Sequence, residues 1–399
     1  MTTFLQLHLL TSYPPACLNR DDLNRPKTAM MGGVPRLRIS SQSLKRAWRV
    51  SEVFKEKVTG QTGIRSKELG RKIRDALLSG IPLAELLKPN APKAEPDSKI
   101  TETDATEWAW IIAAEYVDKK GKGTDGENEK EEKGEKEDKA KKKNAKSNVS
   151  KETLKSEQVV FYSKPEIHAL SALIETLRAS GKAPTTEQLK TIKIKEAEET
   201  ADLAMFGRML ASSPDFNVEA ACQVAHAVTV HRAAVEDDFF TAVDDLNTRE
   251  EDAGSAHMGE QGFGAGLFYV YVCIDRDLLK ENLSGNAELT SKAIRALIES
   301  AAKVAPTGKQ NSFASRAWAY YGLTEKGSRQ PRSLSLAFMK PVREGNMLAD
   351  AAKALETMRG NLDKVYYEGK AEPSRYFDAV TGEGSFQKLL NWAADCGEA

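Results

Sequence analysis

The residues best equipped to do chemistry in this chain are cations. Between Cys17 and Arg49 stand Arg20, Arg25, Lys27, Arg36, Arg38, Lys45, Arg46 and Arg49, against only Asp21 and Asp22. The whole chain carries 58 basic and 58 acidic residues, so this excess is charge sorted into one place rather than a general surplus. Such a local run is the electrostatic footprint of a surface that holds a polyanion, and nucleic acid is the partner it predicts.

Other chemistries find less support. The histidines at 8, 168, 226, 231 and 257 lack HExxH spacing, and no nucleophile elbow accompanies them. His226 and His231 fall on opposite faces of an expected strand and cannot share a metal there. The pairs Asp237-Asp238 and Asp244-Asp245 have the chemistry to hold a divalent cation that activates water, but adjacent carboxylates on a strand diverge. Gly262-Phe263-Gly264-Ala265-Gly266 precedes a strand instead of opening a helix, so it is no dinucleotide fingerprint. Cys17, Cys222, Cys273 and Cys396 show no CxxC or Cys/His spacing, which fits reduced thiols in the cytoplasm. Neither a cofactor nor a metal is expected. The Leu5 to Leu10 run is short for a secretory signal, and no apolar span approaches the roughly 18 residues of a membrane helix.

The elements that would position the cations can be read from periodicity. Leu5, Leu7 and Leu9 alternate with Gln6 and His8, predicting a strand with one buried face. From Thr11 to Pro35 four prolines and Gly32-Gly33 predict a long irregular loop. Arg36 to Ile39 alternates again, and Ser40 is placed to cap a helix running to about Lys55. On that helix Gln42, Lys45, Arg46 and Arg49 fall on one side, while Leu44, Ala47, Trp48 and Phe54 fall on the other. Helices are expected in pieces from Ile64 to Val117, then at 165–180 and 185–210. Residues 119–146 hold eleven Lys, eight acids and no large apolar side chain, a composition that predicts a disordered loop. Strands are expected at 221–231, 262–275 and 318–323, and helices at 287–304, 347–359 and 386–394. Between the first two of these strands, the hydrophilic stretch 233–261 around Phe239-Phe240-Thr241 predicts a hairpin-like arm. The order is that of a βαββαβ core with two large insertions.

Several blocks then match a known family. They are Cys17-Leu18-Asn19-Arg20-Asp21-Asp22, Arg38-Ile39-Ser40-Ser41-Gln42-Ser43-Leu44-Lys45-Arg46, Gly207-Arg208-Met209, Ala225-His226-Ala227, Phe240-Thr241-Ala242-Val243-Asp244-Asp245, Gly254-Ser255-Ala256-His257 and Gly397-Glu398-Ala399. With these the chain resembles the CasC family, the backbone subunit of the type I-E CRISPR Cascade complex. The resemblance implies an α+β fold: a modified RRM-like (ferredoxin-like) palm, a helical finger insertion and a β-hairpin thumb. Mapped here, the palm takes residues 1–60 and 205–399, the fingers 61–204 and the thumb 233–261.

The function so implied is non-catalytic. The chain would bind crRNA, stack with further copies of itself in a filament, join other Cascade subunits, and present the guide to target single-stranded DNA. Carried over by position, Arg20, Lys27, Ser40, Gln42, Lys45, Arg46, Arg49 and Arg208 would hold the RNA backbone and Met209 would press against bases. Phe240, Thr241 and Met258 would displace a base. Phosphate contacts fix a strand without reading it, which suits a protein that must accept any spacer. The competing reading is a type III-like backbone subunit, in which a thumb aspartate such as Asp244 helps cut bound target RNA. A sequence-specific RRM would instead need Phe268, Tyr269 and Tyr271 as exposed stacking aromatics.

Overall fold

The computed structural model describes residues 2–97, 99–116, 154–156, 158–192, 199–210, 214–242, 257–343 and 345–395. The expected loop at 119–146 and the carboxylates Asp244 and Asp245 lie outside them, as do Cys396 and the blocks 254–256 and 397–399. The chain divides into two compact units. One comprises Met1–Gly60, Ala221–Glu281 and Gly285–Ala399, and the other Gln61–Ala220 and Asn282–Ser284.

The first unit is built on an antiparallel sheet. Its strands are β1 (Phe4–Ala16), β2 (Thr28–Met31), β3 (Val34–Ile39), β6 (Cys222–Val224), β7 (Ala227–Thr229), β8 (Glu236–Ala242), β9 (His257–Asp275), β10 (Ala319–Gly327), β11 (Ser374–Asp378) and β12 (Glu383–Gly384). Their order is β12-β11-β10-β1-β9-β7-β3-β2, with β6 and β8 also paired to β9. The unit's helices are α1 (Ser41–Val50), α2 (Glu52–Lys57), α9 (Arg276–Asn282), α10 (Ala287–Lys303), α11 (Gln310–Phe313), α12 (Met347–Tyr367) and α13 (Phe386–Ala394). The last residue of α9, Asn282, falls in the second unit.

Four expectations for this unit need correction. β1, which runs between β9 and β10 in the middle of the sheet, is covered on both faces, with Arg332 and Arg359 lying over the face that carries Gln6 and His8. Gln6 and His8 are therefore buried, and partners replace the water they would otherwise meet: Gln6 accepts from Tyr271 Oη, and His8 faces Tyr269 and Glu325. The strand also continues through Pro14-Pro15, which sit in a register shift between Tyr13 and Ala16 where no ladder N–H is required. Further on, Gly32 and Gly33 close the β2–β3 hairpin with φ of 61° and 77°, so the expected loop contains a strand pair. The helix after Ser40 is interrupted at Ser51, whose hydroxyl donates to Trp48 O and accepts the Phe54 N–H, restarting the chain as α2. Likewise the 221–231 strand is two short pieces, broken at Ala225-His226.

The second unit packs helices α3 (Leu69–Ser79), α4 (Leu83–Leu86), α5 (Glu102–Ala113), α6 (Lys164–Ser180), α7 (Thr186–Thr191) and α8 (Ala201–Phe206) beside the two-stranded pair β4 (Ile64–Ser66) and β5 (Val160–Tyr162). Its core joins Leu77, Ile73, Trp108, Ile112, Leu170, Leu177 and Leu210. Helix α6 starts with a full capping box, Ser163 and Glu166 each accepting the other's backbone N–H. No helix among the described residues is long and apolar enough to cross a membrane.

Candidate nucleic-acid interface

In the first unit the loop after β1 folds back on the junction of β3 and α1, and Asn19 is the clasp. Its carbonyl accepts the Lys27 N–H at 2.9 Å and its side-chain Oδ1 accepts the Ser40 N–H at 2.9 Å. Between these anchors Asp21 Oδ1 accepts the N–H groups of Leu23 and Arg25, closing a tight polar turn. The turn at Gly308 supports the loop from below: a Cβ there would lie 2.4 Å from the carbonyl oxygen of Leu18, so only glycine allows the approach. Asp21 thus serves the loop's own backbone, while Arg20 beside it stays exposed.

On this frame Arg20, Gln42 and Arg46 are exposed, and Lys27, Arg38 and Lys45 are half-buried. The apolar side of α1 and α2 is as expected, with Leu44 at 2 %, Trp48 at 1 % and Phe54 at 0 % exposure. Two predicted contacts are placed otherwise. Ser40 is buried and committed as N-cap, its Oγ accepting the Ser43 N–H. Arg49 is also buried, so the outward stripe of α1 is Gln42 and Arg46, flanked by Lys45.

Two members of this surface, Arg38 and His226, are not among the RNA contacts that the resemblance implies. Arg38 donates to Nδ1 of His226 at 3.0 Å, and Arg38 Nε donates to Thr28 O. Burial lowers the His226 pKa, and the charges of Arg38 and Lys27 lower it further, so the imidazole is neutral at pH 7. The signal was available, since His226 sits in the Ala225-His226-Ala227 block and Arg38 opens another. Their pairing across β3 and β7 was not. Arg36, by contrast, is fully buried and donates to the carbonyls of Met31, Thr229 and Phe338.

The β8–β9 hairpin rises beside the loop as an arm. Arg25 pairs with Asp237 at 2.8 Å, while Lys309 donates to Gln261, which donates in turn to Asp238. These two carboxylates therefore brace the base of the arm. Register places Thr241 opposite Met258 and Phe240 opposite Gly259. The cysteines nearby are inert: burial raises the Cys17 thiol even with Arg20 and Lys309 close, and pushes Cys222 up to about 12.

A loop, a strand end and a helix face thus present cations beside an arm carrying exposed apolar side chains. Comparison with family models gives one described as CT1975-like protein, matching residues 5–389. The chain belongs to that family. The CT1975-like chain is also similar to a solved structure titled "CRISPR RNA-guided surveillance complex, pre-nicking", at 27% identity and a TM-score of 0.72, covering 98% of this chain and 99% of the other. A second, titled "CRISPR RNA-guided surveillance complex", shares the fold at 21% identity and a TM-score of 0.63, covering 99% and 100% of the two chains. Comparison with curated proteins finds no match. The resemblance to a Cascade backbone family read from the sequence is borne out.

In the second unit of this CT1975-like chain the Gly207-Arg208-Met209 block splits into different roles. Gly207 ends α8 at φ 72°, where a Cβ would lie 2.7 Å from Val218 O. Arg208 is buried: its Nη1 donates to both Glu166 oxygens and to Phe161 O, and its Nε to Phe216 O. Expected at the RNA, it instead ties the segment to the start of α6, because the desolvated Glu166 carboxylate requires a cation. Met209 is 84 % exposed, held out by backbone bonds between Arg208 and Val218. The aromatics of a sequence-specific RRM are covered, with Phe268 and Tyr269 buried and Tyr271 bonded to Gln6.

Proposed function

We propose that this chain is a non-catalytic, crRNA-binding backbone subunit of a type I-E-like Cascade complex. Copies of it would line up along one guide, join other Cascade subunits in the cytoplasm, and offer the guide's bases to target single-stranded DNA. The observation that carries this reading is the surface of Arg20, Lys27, Arg38, Gln42 and Arg46, fixed by Asn19 to the β3–α1 junction. Cations on a rigid frame suit phosphate, which positions a strand and ignores its sequence. The sheet order β10-β1-β9-β7, with α1 lying between β1 and β7 in the chain and α10 between β9 and β10, supports an RRM-like palm. Its β8–β9 hairpin would be the thumb, and the helices of the second unit the fingers. A guide held in short ordered stretches has part of its ordering cost met before the target arrives, so pairing is less opposed by entropy.

Purified chain should bind single-stranded guides of unrelated spacer sequence within about tenfold of one another, a spread of about 1.4 kcal/mol. One preferred motif would count against the reading. With saturating Mg2+, protein and guide should leave a complementary RNA whole. Regular cuts that vanish with Asp244→Ala would favour the type III-like alternative instead.

A further inference from the structure

On the β10–β11 side of the sheet, with β1, β9 and β7 between it and β3, the first unit holds a large aromatic out into solvent. Trp318, just before β10, is 70 % exposed. The ring is not loose, because the Lys303 ammonium at the end of α10 lies 5.3 Å from its centroid and 5.3 Å from that of Phe386, which opens α13 and stands edge-on to Phe377 of β11. Glu299, one turn back on α10, accepts from Lys303 at 2.8 Å and fixes that ammonium in turn. A cation set over one side of an indole, itself pinned by a carboxylate, orders the ring and leaves its other side bare. Protein interfaces use such an indole as an anchor.

The charge around the ring is one-sided. Residues directly opposite in an antiparallel pair share a face, so Asp378 opposite Tyr321, and Glu383 opposite Asp378, stand on the face where Tyr321 Oη meets Glu356 of α12. Phe377 lies on the other face with α13, and Trp318 joins it there through Phe386 and Lys303. The carboxylate that belongs to this cluster is Glu299, which Lys303 and Lys57 share. Arg316, two residues before Trp318, and Lys388, two after Phe386, are exposed, and neither side chain has a partner among the described residues. Two cations are too few to follow a phosphate backbone, where the guide surface brings Arg20, Lys27, Arg38, Lys45 and Arg46. They suffice to select an acidic stretch of protein against a neutral or basic one.

We propose that this face docks an acidic segment of a partner protein of different sequence, with an aliphatic side chain over the bare side of Trp318 and carboxylates on Arg316 and Lys388. The proposal rests on the reading of the chain as one subunit of an assembly, and it names the face that meets a partner. Neither the arm nor the cationic surface at the β3–α1 junction takes part.

The test uses the full chain alone, with guide, and in the complete assembly with its partner proteins. Hydroxyl-radical labelling followed by peptide mass spectrometry reads each indole. In the free chain Trp318 should be labelled far faster than Trp48, which is 1 % exposed, and guide alone should leave that rate unchanged. In the complete assembly, before any DNA is added, the rate should fall to near that of Trp48, and a carbodiimide should join Lys388 to an Asp or Glu of a different polypeptide. Trp318→Ala, and Arg316→Glu combined with Lys388→Glu, should each weaken retention of that polypeptide about tenfold or more, with guide affinity and melting temperature unchanged. Labelling that falls with guide alone would give the face to a second copy or to the guide. Labelling that falls only when DNA arrives would give it to nucleic acid, and labelling that never falls would leave it uncovered. Each of these overturns the proposal while the guide reading stands. A chain that joins no other protein would overturn the assembly reading as well.

Discussion

The Arg38 guanidinium donates to Nδ1 of His226 across 3.0 Å, so the imidazole must offer a lone pair there and is neutral. Burial, Arg38 and Lys27 all lower its pKa from the ordinary value of 6.5. A phosphate arriving beside Lys27 and Arg38 would offset that repulsion and raise the pKa again. Guide binding near pH 6 should therefore take up protons, and affinity should rise as pH falls. Calorimetry in two buffers of different ionisation heat measures the uptake, and His226→Gln should abolish it. Zero uptake by the wild-type chain would mean that no phosphate reaches this corner.

Salt dependence separates the cations that face solvent from those that hold the fold. Arg46→Ala and Lys27→Ala should each flatten the plot of log affinity against log salt by roughly 0.7 per lost phosphate contact. Arg36→Met should leave the slope of the surviving folded protein alone, because its guanidinium is spent on three buried carbonyls. Equal slopes for Arg46→Ala and wild type would remove the α1 face from the interface.

Much of this surface was legible because its determinants are local. Ser40 as N-cap, the apolar stripe of Leu44, Trp48 and Phe54, and the exposed Arg46 all follow from spacing along one helix. What sequence could not supply was contact between distant segments. Arg49 and Arg208 look like surface cations until the fold buries them, and Arg208 meets Glu166 only because Gly207 turns the chain back. The alternation in β1 predicted a wet face at Gln6 and His8. It failed because helix α12 and the segment before it cover that face with Arg332 and Arg359, a polar lid on a polar strand face.

The Arg208–Glu166 pair makes a stability prediction distinct from any effect on RNA. Both side chains are almost fully buried, 1 % and 0 % exposed, with N···O at 2.8 Å. Arg208→Met leaves a desolvated carboxylate without its cation and should cost about 3–5 kcal/mol in denaturant unfolding. Met209→Ala, at an 84 % exposed position, should change stability by less than about 0.5 kcal/mol. Similar losses for the two variants would show that the buried pair does not tie the segment to α6.

The buried group around His8 sets the acid limit of the first unit. Nε2 of His8 faces the Glu325 carboxylate at 3.3 Å and so carries the ring's proton, which leaves Nδ1 to accept from Tyr269 Oη at 2.9 Å, while that same Oη accepts the Leu334 N–H. Burial lowers the His8 pKa; Glu325 opposes this, and Arg332 and Arg359 reinforce it. The unfolded chain thus takes up a proton near pH 6.5 that the folded chain refuses. This contribution to stability is complete above pH 6.5 and declines as pH falls below it. For Glu325, burial works to raise the carboxyl, yet His8 and Arg332 overcome it and hold the group at about 2. Its contribution is present above the ordinary carboxylate value of 4.5 and is lost between there and pH 2. The melting temperature should therefore fall in two stages. His8→Gln should remove the first and shrink the second, which Arg332 then sustains. Glu325→Gln should lower the whole profile, because Arg332 and Arg359 then lose the carboxylate that both contact. A wild-type melting temperature flat from pH 7 to pH 5 would mean that His8 carries its proton inside the fold, paired with Glu325 as an ion.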